Sequence, residues 1–320
     1  MVGRNNFTIG MLKTMYDYFF EVYDQKDTVY DKIFKEEPSD AAFEQSTTVV
    51  GMGKLLLKPE NEPIIFRQPQ EGYTTYGINN TFADGIEISM EAVDDHQRID
   101  NLVRAAAQTW AEAVRWTKEK FYADTFNLGG KTAGDATFRN VIAGVLEQNA
   151  DGLQYDGKPL INLSNNLRSS KGGGTYYNGL ALPLTQPNLI TAVQLMQATN
   201  NRNERDEIVS IVPDTLVVPP ALQYTARVIL NSTLLPGTVN NDINALAGMM
   251  KLVVWDYLSG STSWFVMKAG SGIVAQNRKE PVIDFYEDQD TKSYKANIVT
   301  RFGRRVDNWR YLVGSNAATS

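Results

Sequence analysis

The residues that could do chemistry in this 320-residue chain are few, and their spacing argues against each reaction in turn. Gly129-Gly130-Lys131-Thr132 looks like the close of a phosphate-binding loop, in which backbone amides and a lysine cradle phosphates ahead of a helix. The first glycine of that motif belongs at position 125, which is Thr125, and the segment follows a helical pattern where the mechanism needs a strand. Gly270-Ser271-Gly272-Ile273-Val274-Ala275 imitates a dinucleotide fingerprint, but no crossover helix fits before Pro281, so a glycine turn between strands is expected. His96 beside Asp94 and Asp95 could form an imidazole–carboxylate dyad, yet all three fall where a helix starts and capping is the simpler use. Glu287, Asp288 and Asp290 offer hard oxygen ligands without calcium-loop spacing and suit a solvated hairpin turn. Glu60, Glu62 and Asp214 could act as acid or base, but nothing in the sequence brings a pair together. The expectation is a chain with no catalytic, cofactor-binding or metal-binding residues.

Composition narrows the field further. With no cysteine there is no disulfide framework, thiolate nucleophile or sulfur-bound zinc, and a single histidine cannot build a multi-imidazole metal centre. A formal net charge of -6 argues against a tight grip on nucleic acid, which needs a concentrated cationic surface. No apolar run is long enough to span a bilayer and no signal-peptide core follows the first residues, so a soluble chain made in a cytoplasm, with no membrane partner, is expected. The length suits one elaborate domain or two interleaved ones.

The elements that must carry the function read as follows. Leu12, Met15, Tyr16, Phe19, Val22 and Tyr23 recur at helical spacing, making an aromatic N-terminal arm suited to docking on a partner or on its own domain. From about 47 to 93, short strand-like runs and turn residues predict an extended hairpin. Its last strand, Ile86 to Glu91, alternates apolar and polar, so one face must be covered. A helix of about 40 Å is predicted from about 95 to 123, with an apolar stripe through Ile99, Leu102, Val103, Ala106, Trp110, Ala113, Val114, Thr117 and Phe121. Irregular loops around a short helix near 138–148 follow. Next come a helix near 188–198, a strand at 208–218, and a helix opened by Pro219-Pro220. Strands are predicted at 252–256, 264–268, 282–286, 294–304 and 309–313. Helices and strands mix without regular alternation, which favours an α+β class.

Taken in order, these elements resemble the tailed-phage major capsid protein fold. The segments that carry the likeness are Val212-Pro213-Asp214-Thr215-Leu216-Val217-Val218-Pro219-Pro220-Ala221-Leu222, Asn244-Ala245-Leu246-Ala247-Gly248, Val253-Val254-Trp255-Asp256-Tyr257-Leu258, Ser263-Trp264-Phe265, Val299-Thr300-Arg301-Phe302-Gly303-Arg304 and Asp307-Asn308-Trp309-Arg310. The ending is most similar to Mu-like major head subunits. The resemblance implies an N-terminal arm at 1–49, an extended loop at 50–93 and a peripheral domain with the spine helix at 94–184. An axial domain at 185–270 and return strands with a C-terminal strand at 271–320 complete it.

By that resemblance the function is self-assembly into hexameric and pentameric capsomers of an icosahedral shell around phage double-stranded DNA, with localisation in the virion. An encapsulin-type nanocompartment shell, which shares the fold and encloses cargo enzyme, is the alternative; a tail-tube subunit and a soluble enzyme are further ones. The partners implied are other copies of the chain, a separate scaffolding protein, a portal and a possible decoration protein, with packaged DNA nearby but not bound by sequence. Tyr16, Phe19, Phe20, Tyr23, Lys58, Arg67, Ile86, Ile88 and Met90 are the expected inter-subunit contacts. Some family members cross-link a loop lysine to a distant asparagine; Lys54 or Lys58 could serve, but no cross-link is expected here. Removing residues 1–34 is expected to leave a folded, assembly-defective chain.

Overall fold

The computed structural model describes residues 4–24, 27–50, 53–66, 68, 70–91, 99–131, 156–233, 243–288 and 290–316. The helix expected at 138–148 and the Asp94-Asp95-His96 cluster lie outside them. The two long helices among the described residues are α1 (Arg4–Tyr23) and α2 (Ile99–Asn127). The buried face of α2 runs through Val103, Ala107, Trp110, Val114, Tyr122 and Phe126, at the three- and four-residue spacing that puts side chains on one face. Ala106, Ala113, Thr117 and Phe121, expected in the stripe, sit at its margin. The stripe is rotated because α2 is covered by α1 as well as by a sheet. The small Ala107 and Ala111 share a buried cluster with Met15 and Phe19 of α1 and Ile283, Ala296 and Ile298 of that sheet.

The first sheet contains β1 (Lys35–Pro38), β2 (Phe43–Val50), β3 (Gln70–Ser89), β10 (Ile273–Asp288) and β11 (Ser293–Val306), in the order β1-β10-β11-β3-β2. The second contains β6 (Gly179–Leu180), β7 (Thr215–Val218), β8 (Lys251–Val254), β9 (Trp264–Met267) and β12 (Leu312–Ser315), in the order β6-β12-β9-β7-β8. Between them β4 (Arg168–Ser169) and β5 (Thr175–Tyr176) form a small antiparallel pair. Two shorter helices, α3 (Gln186–Gln194, extended by a π turn to Thr199) and α4 (Gln223–Asn231), pack on the second sheet.

Strands β7 and β9 are buried along their whole length, and the period of two assigns their faces. Leu216, Val218, Trp264 and Val266 join the cluster with α3 and α4, whereas Val217, Phe265 and Met267 join the one with Tyr122 and Phe126 of α2. Cover on both sides is why these strands read as continuous apolar runs. The strand expected at 208–218 shortens to Thr215–Val218, because 210–213 stand outside the ladder between Val209, whose N donates to Asn201 O, and Asp214, whose N donates to Met267 O. The strand expected at 309–313 becomes a 3-10 turn at Trp309–Tyr311, fixed by Asn308 accepting from Arg310 N, and then β12.

A charged pair sits in the buried face of α2, where the sequence pattern gave no sign of one. Glu119 accepts from Val29 N and from the Trp255 indole N–H, both at 2.6 Å, and burial raises its pKa. Lys118 donates to Tyr23 Oη at 2.9 Å and lies 3.8 Å from the Glu280 carboxylate. One carboxylate therefore ties the segment after α1, the spine and the second sheet together. Tyr30, Ile33 and Phe34 lie in the core that Glu119 borders, so the expectation that residues 1–34 can be removed without unfolding is corrected: that cut runs through the core. Glu119→Ala should lower unfolding stability by about 3 kcal/mol, since it leaves buried N–H groups unpaired, while Glu119→Gln keeps an acceptor and should cost roughly half as much. Urea unfolding followed by tryptophan emission measures both.

Candidate assembly surface

β2 pairs with β3 from Phe43↔Ile78 to Val50↔Gln70, whereas β11 pairs with β3 only from Ile78 to Ser89. Residues 70–77 of β3 therefore extend past β11 with β2 as their sheet partner, as a two-stranded stem, and such a stem is marginal alone in water. At its end, residues 53–66 carry no regular structure. Leu55 and Leu57 are 94% exposed and Phe66 91%, and Leu56, Ile64 and Ile65 are exposed as well. Pro59 and Pro63 bar a strand or helix here, and the blocks Leu55-Leu56-Leu57 and Ile64-Ile65-Phe66 have neither a helix nor a strand period with which to bury one side. Fully burying each of these side chains would contribute about 1.5–3 kcal/mol, so the tip is a surface that gains by meeting another protein.

Carboxylates and basic groups hold the stem to the body. Arg305, nearly buried, pairs with Asp307 at 2.5 Å and Glu37 at 3.0 Å, and Asp307 also accepts from Thr75 of the stem at 3.3 Å. Glu207 accepts from Lys54 N at 2.8 Å, and Lys171 Nζ donates to Glu71 O at 2.5 Å. Asp206 accepts from Ser170 Oγ, from Tyr176 Oη at 2.8 Å and from Gly174 N at 3.2 Å.

The expected contact residues separate into groups. Phe19 is wholly buried within its own subunit; Tyr16 accepts from Ile283 N at 3.1 Å, and Tyr23 stacks on Phe19 with centroids 5.3 Å apart. Because α1 lies along α2, Phe19 is taken up inside the subunit, whereas Tyr16 and Tyr23 are half-buried. Phe20, 37% exposed, and Lys58, in the tip, remain at the surface. Ile86 and Ile88, on one face of β3, and Met90 just after it are half-buried, with Ile86 packed against the α1–α2 cluster. Arg67 lies outside the described residues. The tip's own apolar blocks were not singled out from the sequence, although their lack of any period was the available signal. A second exposed apolar set, Tyr224 and Val228 on α4 with Ile243, was missed too.

The motifs with chemical appearance have structural places. Gly129 and Lys131 continue the end of α2 in turns, with Lys131 N donating to Leu128 O. Gly270 and Gly272 both take positive φ in the turn between β9 and β10. Asp288 and Asp290 lie at the β10–β11 turn, where Lys295 at 2.5 Å holds the Asp288 pKa down at about 2. Among the described residues no group of His, Asp and Glu could hold a metal ion, and no helix is long and apolar enough to cross a membrane.

Residues 79–315 match the profile of a family described as phage capsid protein. Curated proteins give no match in sequence. The fold is similar to that in the capsid structure of the cyanophage P-SCSP1u, with a TM-score of 0.54 and 9% identity over 91% of this chain and 88% of that one. It is also similar to that in the capsid of a native GTA particle, with a TM-score of 0.53 and 11% identity over 88% and 87%. The SrpI encapsulin of Synechococcus elongatus PCC 7942 gives 0.46 at 11% identity over 89% and 85%, too slight a likeness to carry an argument.

Hydrogen bonds to their charged forms hold Asp206 and Glu207 below the usual carboxylate range, so the stability they add is present above that range and is lost as pH falls through their lowered values. Glu207 faces Lys54 and Arg205, and Asp206 faces Tyr176 and Arg202. Amide protection near Lys54 and Gly174, corrected for intrinsic exchange, should hold from pH 8 to 5 and decline below about pH 4 while β7 and β9 stay protected.

Proposed function

The chain belongs to the phage capsid protein family and is a virion shell subunit with the α+β head-protein fold; we propose that it builds its shell by laying the apolar hairpin tip on a neighbouring copy. The contact is heterologous, tip to a different surface, and repeats around rings of six and five to close an icosahedral head over double-stranded DNA. The carrying observation is the tip itself: large apolar side chains exposed at the end of a stem, Leu55, Leu57 and Phe66 almost completely. The role is structural, without turnover. A net charge of -6 suits a wall that lies near DNA and releases it. A separate scaffolding protein would set the curvature, and a portal and a decoration protein are further partners.

Negative-stain electron microscopy after size-exclusion chromatography, with and without a scaffolding protein, tests this reading. The natural chain should give closed shells or rings. The combined substitutions Leu55→Asp, Leu57→Asp and Phe66→Asp should abolish them with the subunit's melting temperature within about 2 °C, because these side chains support nothing in their own fold. Normal shells from that variant would refute the tip contact. Cargo enzyme copurifying with shells of the natural chain would favour the encapsulin alternative.

A further inference from the structure

We infer that the Asn203–Glu207 turn and Lys171 form a two-point clamp that sets the direction in which the hairpin leaves the body; this rests on reading the hairpin as the assembly arm. The clamp grips both sides of the tip. On the outgoing side Glu207 Oε1 accepts from Lys54 N, and on the returning side Lys171 Nζ reaches Glu71 O and lies 5.4 Å from the centre of the Tyr73 ring. Beyond these contacts residues 54–66 are exposed throughout.

Each gripping residue is itself held. Asn203 Oδ1 accepts from Arg205 N at 2.9 Å and Glu207 N at 3.0 Å, its backbone N donates to Glu207 O, and its Nδ2 donates to Glu207 Oε2 at 3.1 Å. This network closes the turn, with Asp206 at φ 63, and aims the Glu207 carboxylate at Lys54. Lys171 is placed by its own N–H on Glu204 Oε2 at 3.4 Å, and Glu204 is paired with Arg310 at 2.6 Å in the 3-10 turn before the last strand. Asp206 pins the β4–β5 pair on either side of Lys171 through Ser170, Gly174 and Tyr176.

Packing at the joint is loose by comparison. An open cleft of about 140 Å³ lies between Thr48, Val50 and Tyr73 of the stem and Glu204, Trp309 and Arg310 of the body, so part of this joint is left to polar contacts. Gly53 fits the same account: at φ +75 it lets the chain close on the turn, and a Cβ there would lie 3.1 Å from both Arg205 Cδ and Glu207 Oε1.

The chain has no cysteine, so nitroxide labels on Glu60→Cys in the tip and Lys251→Cys on β8 can report the hairpin's direction by pulsed dipolar spectroscopy of the unassembled subunit. The labelled parent should give one narrow distance distribution. Adding Glu207→Ala with Lys171→Met should at least double its width while the circular dichroism of the folded chain is kept, and each single change should give an intermediate width. If the double variant does not fold, Gly53→Ala, which removes no polar group and presses on the Glu207 carboxylate, should broaden the distribution likewise. An unchanged distribution in a folded double variant, or in Gly53→Ala, overturns the clamp. Assembly is a separate readout: unchanged distances with normal shells defeat the clamp alone, and a narrow parent distribution in a chain that never assembles defeats the shell reading alone.

Discussion

Apolar surface that a chain cannot cover with its own residues has to be covered by something else, and the tip at residues 53–66 is such a surface. The hydrophobic effect does not specify a partner, but the geometry does restrict one: the tip stands at the end of a stem that extends past β11, and residues 54–66 are exposed in the subunit. A subunit built this way trades stability of its own for stability of contact. The rest of the molecule can be understood as the support that makes such an exposed extension tolerable.

That support comes from α2 and the two sheets it spans. In its first half α2 is packed by α1 and the long β10–β11 pair; in its second half it covers one face of β7 and β9, whose other face takes α3 and α4. Glu119 joins these halves, with neutral donors from the segment after α1 and from Trp255 converging on a carboxylate that burial makes costly to ionise. The stem then leaves this framework where β3 loses β11, held at its root by Arg305 and Asp307.

The sequence made the spine and the second sheet legible in two ways: the spine by its three- and four-residue period along Val103, Trp110 and Val114, and β7 and β9 by their continuous apolar runs within Thr215–Val218 and Trp264–Met267. It hid whatever departs from period. Lys118 and Glu119 count as polar in any pattern, so a charged pair on the buried face leaves a gap where the structure has a junction. The aromatic residues of α1 were visible as a group, but which of them face α2 depends on the crossing of the two helices, so the sequence left docking on a partner or on its own domain open, and Phe19 packs within its own subunit. Leu55-Leu56-Leu57 and Ile64-Ile65-Phe66 were passed over because short apolar runs among prolines look like buried strand ends. The turn at Asn203–Glu207 depends on an asparagine side chain replacing backbone partners across four residues, which composition does not reveal.

Hydrogen–deuterium exchange of the same chain before and after assembly tests the central claim most directly. The account expects new protection at residues 53–66, larger than anywhere in α2 or the second sheet, because the side chains of 54–66 are exposed in the free subunit and a neighbour would cover them. Shells whose 53–66 amides exchange as fast as in the free subunit would contradict it.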